Sequence, residues 1–217
     1  MSQEILSKIK EGKIIAIVRG VSSDKMVALA QALYSGGIHF VEVTFDQSSE
    51  EASRDTLKAI AAIKKELAGK VYPGAGTVMT VEQVKLAAAA GAEYMISPNV
   101  NEAVIRMTKE LGKISIPGAF TPTEVAFAYS CGADIVKLFP AGILGADYIR
   151  AIRAPLKHIP MTAVGGVNPE NCVDFIRAGC IGVSCGGNLV SPTLVNEGRF
   201  EEITAIAKEY REALENV

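Results

Sequence analysis

The sequence predicts an α/β fold in a single domain: a (β/α)8 (TIM) barrel over residues 1–217, with an extra N-terminal helix ahead of the repeat. Three observations predict it. Short β-branched or apolar runs alternate with longer helical stretches along the whole chain, the pattern of parallel strands joined by crossover helices. These runs recur roughly every 20 to 30 residues, about the length of one βα unit. No composition break divides them, and 217 residues suffice for one compact barrel.

Each element follows from its own stretch. Residues 2 to 10 read as the extra helix. Ile14-Ile15-Ala16-Ile17-Val18 is the first strand; Ser22-Ser23-Asp24 then precedes a helix from Met26 that Gly36-Gly37 stops. Phe40-Val41-Glu42-Val43-Thr44 and Val71-Tyr72-Pro73-Gly74-Ala75 are the second and third strands. Thr80 and Gln83 make a capping box for a helix running to Gly91, before the fourth strand Tyr94-Met95-Ile96-Ser97. The fifth is Ile114-Ser115-Ile116-Pro117, followed by a second capping box at Thr121-Pro122-Thr123-Glu124. Ile135-Val136-Lys137-Leu138-Phe139 is the sixth and Met161-Thr162-Ala163-Val164 the seventh. Asn168 ahead of Pro169 predicts a capped helix with proline in its first turn, ending at Gly179. Ile181-Gly182-Val183-Ser184 is the eighth strand. A doubly wound open sheet is the rival fold. It calls for a Gly-rich dinucleotide turn after the first strand, and Val18-Arg19-Gly20-Val21-Ser22 is not one.

Composition excludes several functions. Lysine and arginine total 22 against 24 acidic residues, both signs scattered, so no basic stripe for nucleic acid is present. No run approaches the roughly 18 apolar residues of a membrane span, and the start lacks the apolar stretch of a signal peptide. A cytoplasmic setting is expected. The four cysteines, Cys131, Cys172, Cys180 and Cys185, form no C-x-x-C pair and read as small buried residues; only Cys185 stands out, for preceding Gly186-Gly187. The two histidines, His39 and His158, lie far apart without a carboxylate cluster, so neither metal nor cofactor is called for.

In a barrel, reactive groups come from the C-terminal ends of strands and the loops after them. That filter leaves Arg19, Glu42, Thr44, Asp46, Thr77, Ser97, Asn99, Lys137 and the glycine loops after the last two strands. Lys137 is flanked on both sides by apolar residues in its strand, where burying a charge is costly. It is either a strand-end ion pair or an amine nucleophile whose pKa burial lowers. Glu42 interrupts a run otherwise suited to a buried strand, and alternation sets it on the opposite face from Val41 and Val43. It is a structural ion-pair member or an acid/base group working with Lys137. Gly165-Gly166 and Gly186-Gly187 follow the seventh and eighth strands, where barrels bind phosphate through backbone N–H groups. Arg19 can add an anion contact.

On these residues the chain resembles the 2-dehydro-3-deoxy-6-phosphogluconate / 4-hydroxy-2-oxoglutarate (KDPG/KHG) aldolase family. The resemblance spans the chain through Ile17-Val18-Arg19-Gly20, Val41-Glu42-Val43-Thr44, Gly74-Ala75-Gly76-Thr77-Val78, Ile96-Ser97-Pro98-Asn99, Lys137-Leu138-Phe139-Pro140-Ala141 and Gly165-Gly166-Val167. It implies a homotrimeric, metal-free class I aldolase that cleaves a 2-keto acid to pyruvate and an aldehyde. By the same resemblance Lys137 matches the Schiff-base lysine, Glu42 the acid/base, and Thr77 a threonine near the pyruvate carboxylate. Gly165, Gly166, Gly186 and Gly187 match the phosphate loops, and Pro98 and Phe139 line the substrate site. Asp46 stands where many members carry arginine, and Ala163-Val164 replaces a Pro-Thr pair, as in 2-dehydro-3-deoxy-6-phosphogalactonate aldolases. Which sugar acid is preferred, and whether phosphate is required, stays open. A phosphate-binding epimerase or decarboxylase, and a barrel kept as a binding module, are the alternative functions.

Overall fold

The computed structural model describes residues 2–215 and 217. Helix α1 (Ser2–Gly12) precedes a run of parallel strands: β1 (Ile14–Val18), β2 (Phe40–Thr44), β3 (Tyr72–Gly76), β4 (Tyr94–Ile96), β5 (Ile114–Ile116), β6 (Gly118–Ala119), β7 (Val136–Leu138), β8 (Met161–Val164) and β9 (Gly182–Cys185). Between and after them come α2 (Met26–Ser35), α3 (Glu50–Glu66), α4 (Val81–Ala90), α5 (Glu102–Glu110), α6 (Pro122–Ser130), α7 (Ala141–Arg153), α8 (Cys172–Arg177), α9 (Pro192–Asn196) and α10 (Phe200–Glu215). The strand order is β5-β4-β3-β2-β1-β9-β8-β7-β6, with β5 and β6 at its two ends. Only Pro117 separates those two in sequence, so they are one strand of the ring and the sheet closes. Pro117 has no N–H to give, yet its carbonyl still accepts from Lys137 N at 2.9 Å and carries the pairing across the break.

The helices begin less regularly than the strands. Thr121 and Glu124 form the full reciprocal box at the start of α6. Thr80 caps α4, but the Gln83 side chain accepts from Met79 N rather than from Thr80. One expected start keeps its place behind an extra turn, and another shifts downstream. Ser23–Lys25 is a 3₁₀ turn, with Ser22 and Asp24 bonded to each other and Ser23 donating to Asp55, and α2 begins at Met26 as expected. Asn168 and Asn171 each accept the other's backbone N–H at 2.9 Å, closing a turn over Pro169 that delays α8 to Cys172. In both cases a side chain expected to cap a helix is used up in a local turn.

Strand pairing sets the layers inside the ring. In an eight-stranded barrel each strand is offset by about one residue from the next, and alternate strands supply the side chains of one layer. Applied to the observed registers, this puts Phe40, Tyr94, Ile135 and Gly182 lowest, then Ile15, Gly74, Ile116 and Thr162, then Glu42, Ile96, Lys137 and Ser184. The lower layers pack with Ile5 and Ile9 of α1, which plugs that end. Outward-facing residues such as Val41, Val43, Val136 and Leu138 join the helices in the larger core. Above the third layer come Ile17, Gly76, Gly118 and Val164. Two of those four have no side chain, and there the barrel opens.

Candidate active site

At the C-terminal end of the strands lies a cleft of about 330 Å³ lined by Ile17, Arg19, Glu42, Thr77, Pro98, Lys137, Phe139, Val164–Val167, Ser184 and Gly186–Asn188. Of the residues the sequence marks, Arg19, Glu42, Thr77, Pro98, Lys137, Phe139 and both glycine pairs are in that lining. Thr44, Asp46, Ser97 and Asn99 are not. Thr44 and Ser97 are buried, bonded to the carbonyls of Val18 and Asn99. Asp46 is exposed, with its carboxylate turned to Ser48 N at 2.8 Å.

Lys137 and Glu42 form the floor, 7% and 2% exposed. Glu42 gets its room from glycine: a Cβ at Gly76 would sit 1.9 Å from Glu42 Oε1. Burial pushes the Lys137 ammonium below its ordinary value; the Glu42 charge opposes that shift and the Arg19 charge adds to it. Burial pushes the Glu42 carboxyl up, opposed by Lys137 and Arg19. Both shifts favour uncharged forms, a free amine beside a protonated acid, which are the forms needed to attack a ketone and expel its oxygen. Glu42 Oε2 has no hydrogen-bond partner among the described residues, so it is available to a ligand. The Phe139 ring centroid lies 4.8 Å from Lys137 Nζ, a face that also suits a positively charged imine.

The walls are held by the elements around them. Thr77 adopts φ 54°, a left-handed conformation unusual for a β-branched residue. Its carbonyl accepts from Gln47 Nε2 at 2.9 Å, and Gln47 Oε1 accepts from Gln83 Nε2 at 2.9 Å, which ties Thr77 to α4. Gly165 and Gly166 have φ 88° and 73°. Gly165 O accepts from Gly142 N at 2.7 Å, so the loop docks on the first turn of α7. Asn171 and Asn188 donate to the carbonyls of Gly166 and Val167, both at 2.9 Å. The amides of Gly166 and Gly187 donate to no protein acceptor among the described residues, which leaves them for an anion. Arg19, exposed at the rim, has no ion-pair partner among the described residues.

Sequence reasoning missed Ser184 as a cleft residue and Ile17 as an apolar wall. The signal for Ser184 was the one that found Glu42 and Lys137: a polar residue breaking an apolar strand. Cys185 is buried and its thiol pushed up by burial, so it is an inert packing residue. His39 lies at the opposite end of the barrel, in a second cavity with Lys8, Tyr72 and Arg211. Among the described residues no His, Cys, Asp and Glu side chains converge as metal ligands, and no helix is long and apolar enough to cross a membrane.

Comparison with known proteins agrees with the fold. The family model for KDPG and KHG aldolase matches residues 5–206. The chain is 36% identical over 203 residues to the 2-dehydro-3-deoxy-6-phosphogalactonate aldolase of Escherichia coli K12, covering 93% of this chain and 96% of that one. A solved structure described as native KDPGal superposes with a TM-score of 0.82 at 36% identity, covering 93% of this chain and 95% of its own. The KDPG aldolase of Legionella pneumophila, solved with pyruvate captured as a covalent carbinolamine, gives a TM-score of 0.82 at 25% identity, covering 94% and 96%.

Proposed function

The chain belongs to the KDPG and KHG aldolase family and is a class I aldolase, a carbon–carbon lyase working through a Schiff base, and on that footing we propose that Lys137 forms the imine and Glu42 moves the protons. The observation that carries this assignment is the placement of both groups in one buried layer at the cleft floor, each shifted towards its neutral form.

In this reading the neutral Lys137 amine attacks C2 of the keto acid, and the carbonyl π electrons move to oxygen. One N–H proton of the adduct passes to that oxygen, and Glu42, protonated, then gives its proton to the resulting hydroxyl, which leaves as water and yields the protonated imine. The Glu42 carboxylate then takes the proton of the C4 hydroxyl as the C3–C4 bond breaks. The electron pair runs into the imine, giving a pyruvate enamine and a free aldehyde. Protonation at C3 and hydrolysis return the lysine. The imine is itself the electron sink, so the reading requires neither metal nor cofactor. Borohydride reduction with pyruvate is the test: a reduced pyruvyl group should appear on Lys137 alone. Labelling of another lysine, or of none, overturns the assignment.

For the substrate we propose a 2-keto-3-deoxy-6-phospho sugar acid, its phosphate on Gly165-Gly166 and Gly186-Gly187 with Arg19, and its carboxylate near Thr77. The unpaired glycine amides and unpaired Arg19 support the phosphate site. Asp46 lies outside the cleft lining with its carboxylate turned to Ser48 N, although the Arg19 charge still reaches it. Val164 in the wall and the Escherichia coli relative favour the galactonate epimer over the gluconate. Charge-assisted hydrogen bonds contribute about 1.5–3 kcal/mol each, so phosphorylated substrates should exceed 4-hydroxy-2-oxoglutarate in kcat/KM at equal salt. Equal values would reduce the loops to turns and favour the short hydroxy-keto acid. An epimerase or decarboxylase reading has no support in the placement of His39, remote from the cleft.

A homotrimer is part of the proposal. Ile143 is 83% exposed, and Phe120 and Phe127 are 42% and 48% exposed, apolar surface that assembly would cover. A solution mass of one 22.9 kDa chain would reject it. Four free cysteines fit a reducing, cytoplasmic compartment.

A further inference from the structure

Ser184 is a polar residue of the cleft to which the steps above give no task. It is 1% exposed, and its Oγ has no hydrogen-bond partner among the described residues. It also lines the cleft together with Lys137 and Glu42. A buried hydroxyl left unpaired is destabilising, because it has lost its bonds to water. That cost is relieved when a ligand supplies the partner.

Strand register says which part of a ligand. Lys137 pairs with Thr162 and Thr162 with Gly182; Ile15 pairs with Ser184, and Ile17 with Glu42. Advancing about one residue per strand, the third layer runs Glu42, Ile96, Lys137, Ser184 around the ring. Glu42 therefore faces Lys137 across the barrel, and Ile96 and Ser184 flank the line between them. A carbon bonded to the amine and within reach of the carboxyl has an apolar side chain on one side and the Ser184 hydroxyl on the other.

We propose that Ser184 is a catalytic residue whose hydroxyl binds the C2 oxygen of the keto acid while the imine forms. The inference rests on the assignment of Lys137 and Glu42 and adds a third group to them. As Lys137 Nζ attacks C2, the π pair moves to oxygen, and Ser184 O–H donates to that oxygen as negative charge develops on it. One N–H proton of the adduct then passes to the oxygen, giving the carbinolamine. Glu42 protonates this hydroxyl, the C2–O bond breaks and water leaves. Ser184 neither gains nor loses a proton overall. Its contribution is to hold the oxygen where Glu42 can reach it, and it is largest when that oxygen is most negative.

Pyruvate isolates this step, because it has the C2 oxygen but no hydroxyl further along its chain. Full-length wild type, Ser184→Ala and Ser184→Thr are mixed with pyruvate, quenched with borohydride at successive times, and the Lys137 peptide is weighed. Ser184→Ala should label the same lysine, with imine formation slowed about 10- to 100-fold, the loss of one hydrogen bond to a charged oxygen. Its thermal unfolding should match wild type, and Ser184→Thr should recover part of the rate; should the extra methyl obstruct the cleft, Ser184→Ala alone decides. Wild type unlabelled at Lys137 would defeat the underlying assignment. Wild type labelled and Ser184→Ala labelled as fast would defeat the role of Ser184 alone. A defect confined to the phosphorylated sugar acid, with pyruvate imine formation intact, would equally overturn it by moving the contact to a substrate hydroxyl.

Discussion

Lys137 and Glu42 are each buried where a charge is costly, and each is the other's main relief. The space for that pairing depends on a residue with no side chain. Gly76 lies in β3 without a positive φ, so alanine fits its backbone, but the added Cβ would fall on the Glu42 carboxylate. Gly76→Ala should therefore fold and still form the pyruvate imine at Lys137, while losing about 10²- to 10⁴-fold in cleavage, the usual scale of a displaced acid/base. Steady-state rates beside borohydride trapping make the check; normal cleavage would mean Glu42 does not carry the protons. At this scale the sequence was informative for charged residues and silent about glycine. A lysine in an apolar strand announces itself, whereas Gly76 acquires its meaning from a side chain on the neighbouring strand.

Among the elements, strands were far more legible than helix starts. A strand buried on both faces reads as a β-branched run, and β1, β2 and β8 match their runs end to end. Helix starts depend on which acceptor a Ser, Asn or Gln side chain chooses, and tertiary neighbours decide that. Gln83 shows the consequence: expected to close a cap, it instead supports Gln47, which holds the carbonyl of Thr77. Gln47→Ala should release that carbonyl and let Thr77 relax from its left-handed conformation. The expected result is a several-fold rise in KM for pyruvate imine formation, with unfolding changed by no more than about 1–3 kcal/mol, the worth of the two hydrogen bonds Gln47 makes. An unchanged KM would mean Thr77 is held without Gln47.

For the whole molecule, the layer holding Glu42 and Lys137 is a stability cost. Glu42 has its pKa raised, so its stabilising contribution is intact below about 4.5 and lost as pH climbs through the raised value. Lys137 has its pKa lowered, so its contribution is intact above its ordinary 10.5 and lost as pH falls through the depressed value. Between those limits the fold carries both penalties. Replacing the pair with apolar groups, Glu42→Leu with Lys137→Met, should stabilise the inactive protein by about 1–4 kcal/mol at pH 7. The gain should shrink towards pH 4 and pH 10. Urea unfolding across pH measures it, and no gain at pH 7 would show that the pair fully compensates its burial.

The sequence by itself determined the repeat, the direction of each strand and the two charged residues set in apolar strands. Those follow from local chemistry: β-branched runs, glycine stops, and charges placed where a neighbour on the chain cannot relieve them. Tertiary structure alone decided closure and depth. The ring closes because β5 and β6 are two halves of one strand kept in register across Pro117. Glu42 meets Lys137 because offset accumulates strand by strand until residues distant in sequence share a layer. Ser184 joins them, and Gly76 and Gly118 open the cleft above them, for the same reason. A layer is a property of register around the whole ring, and no single stretch of sequence contains it.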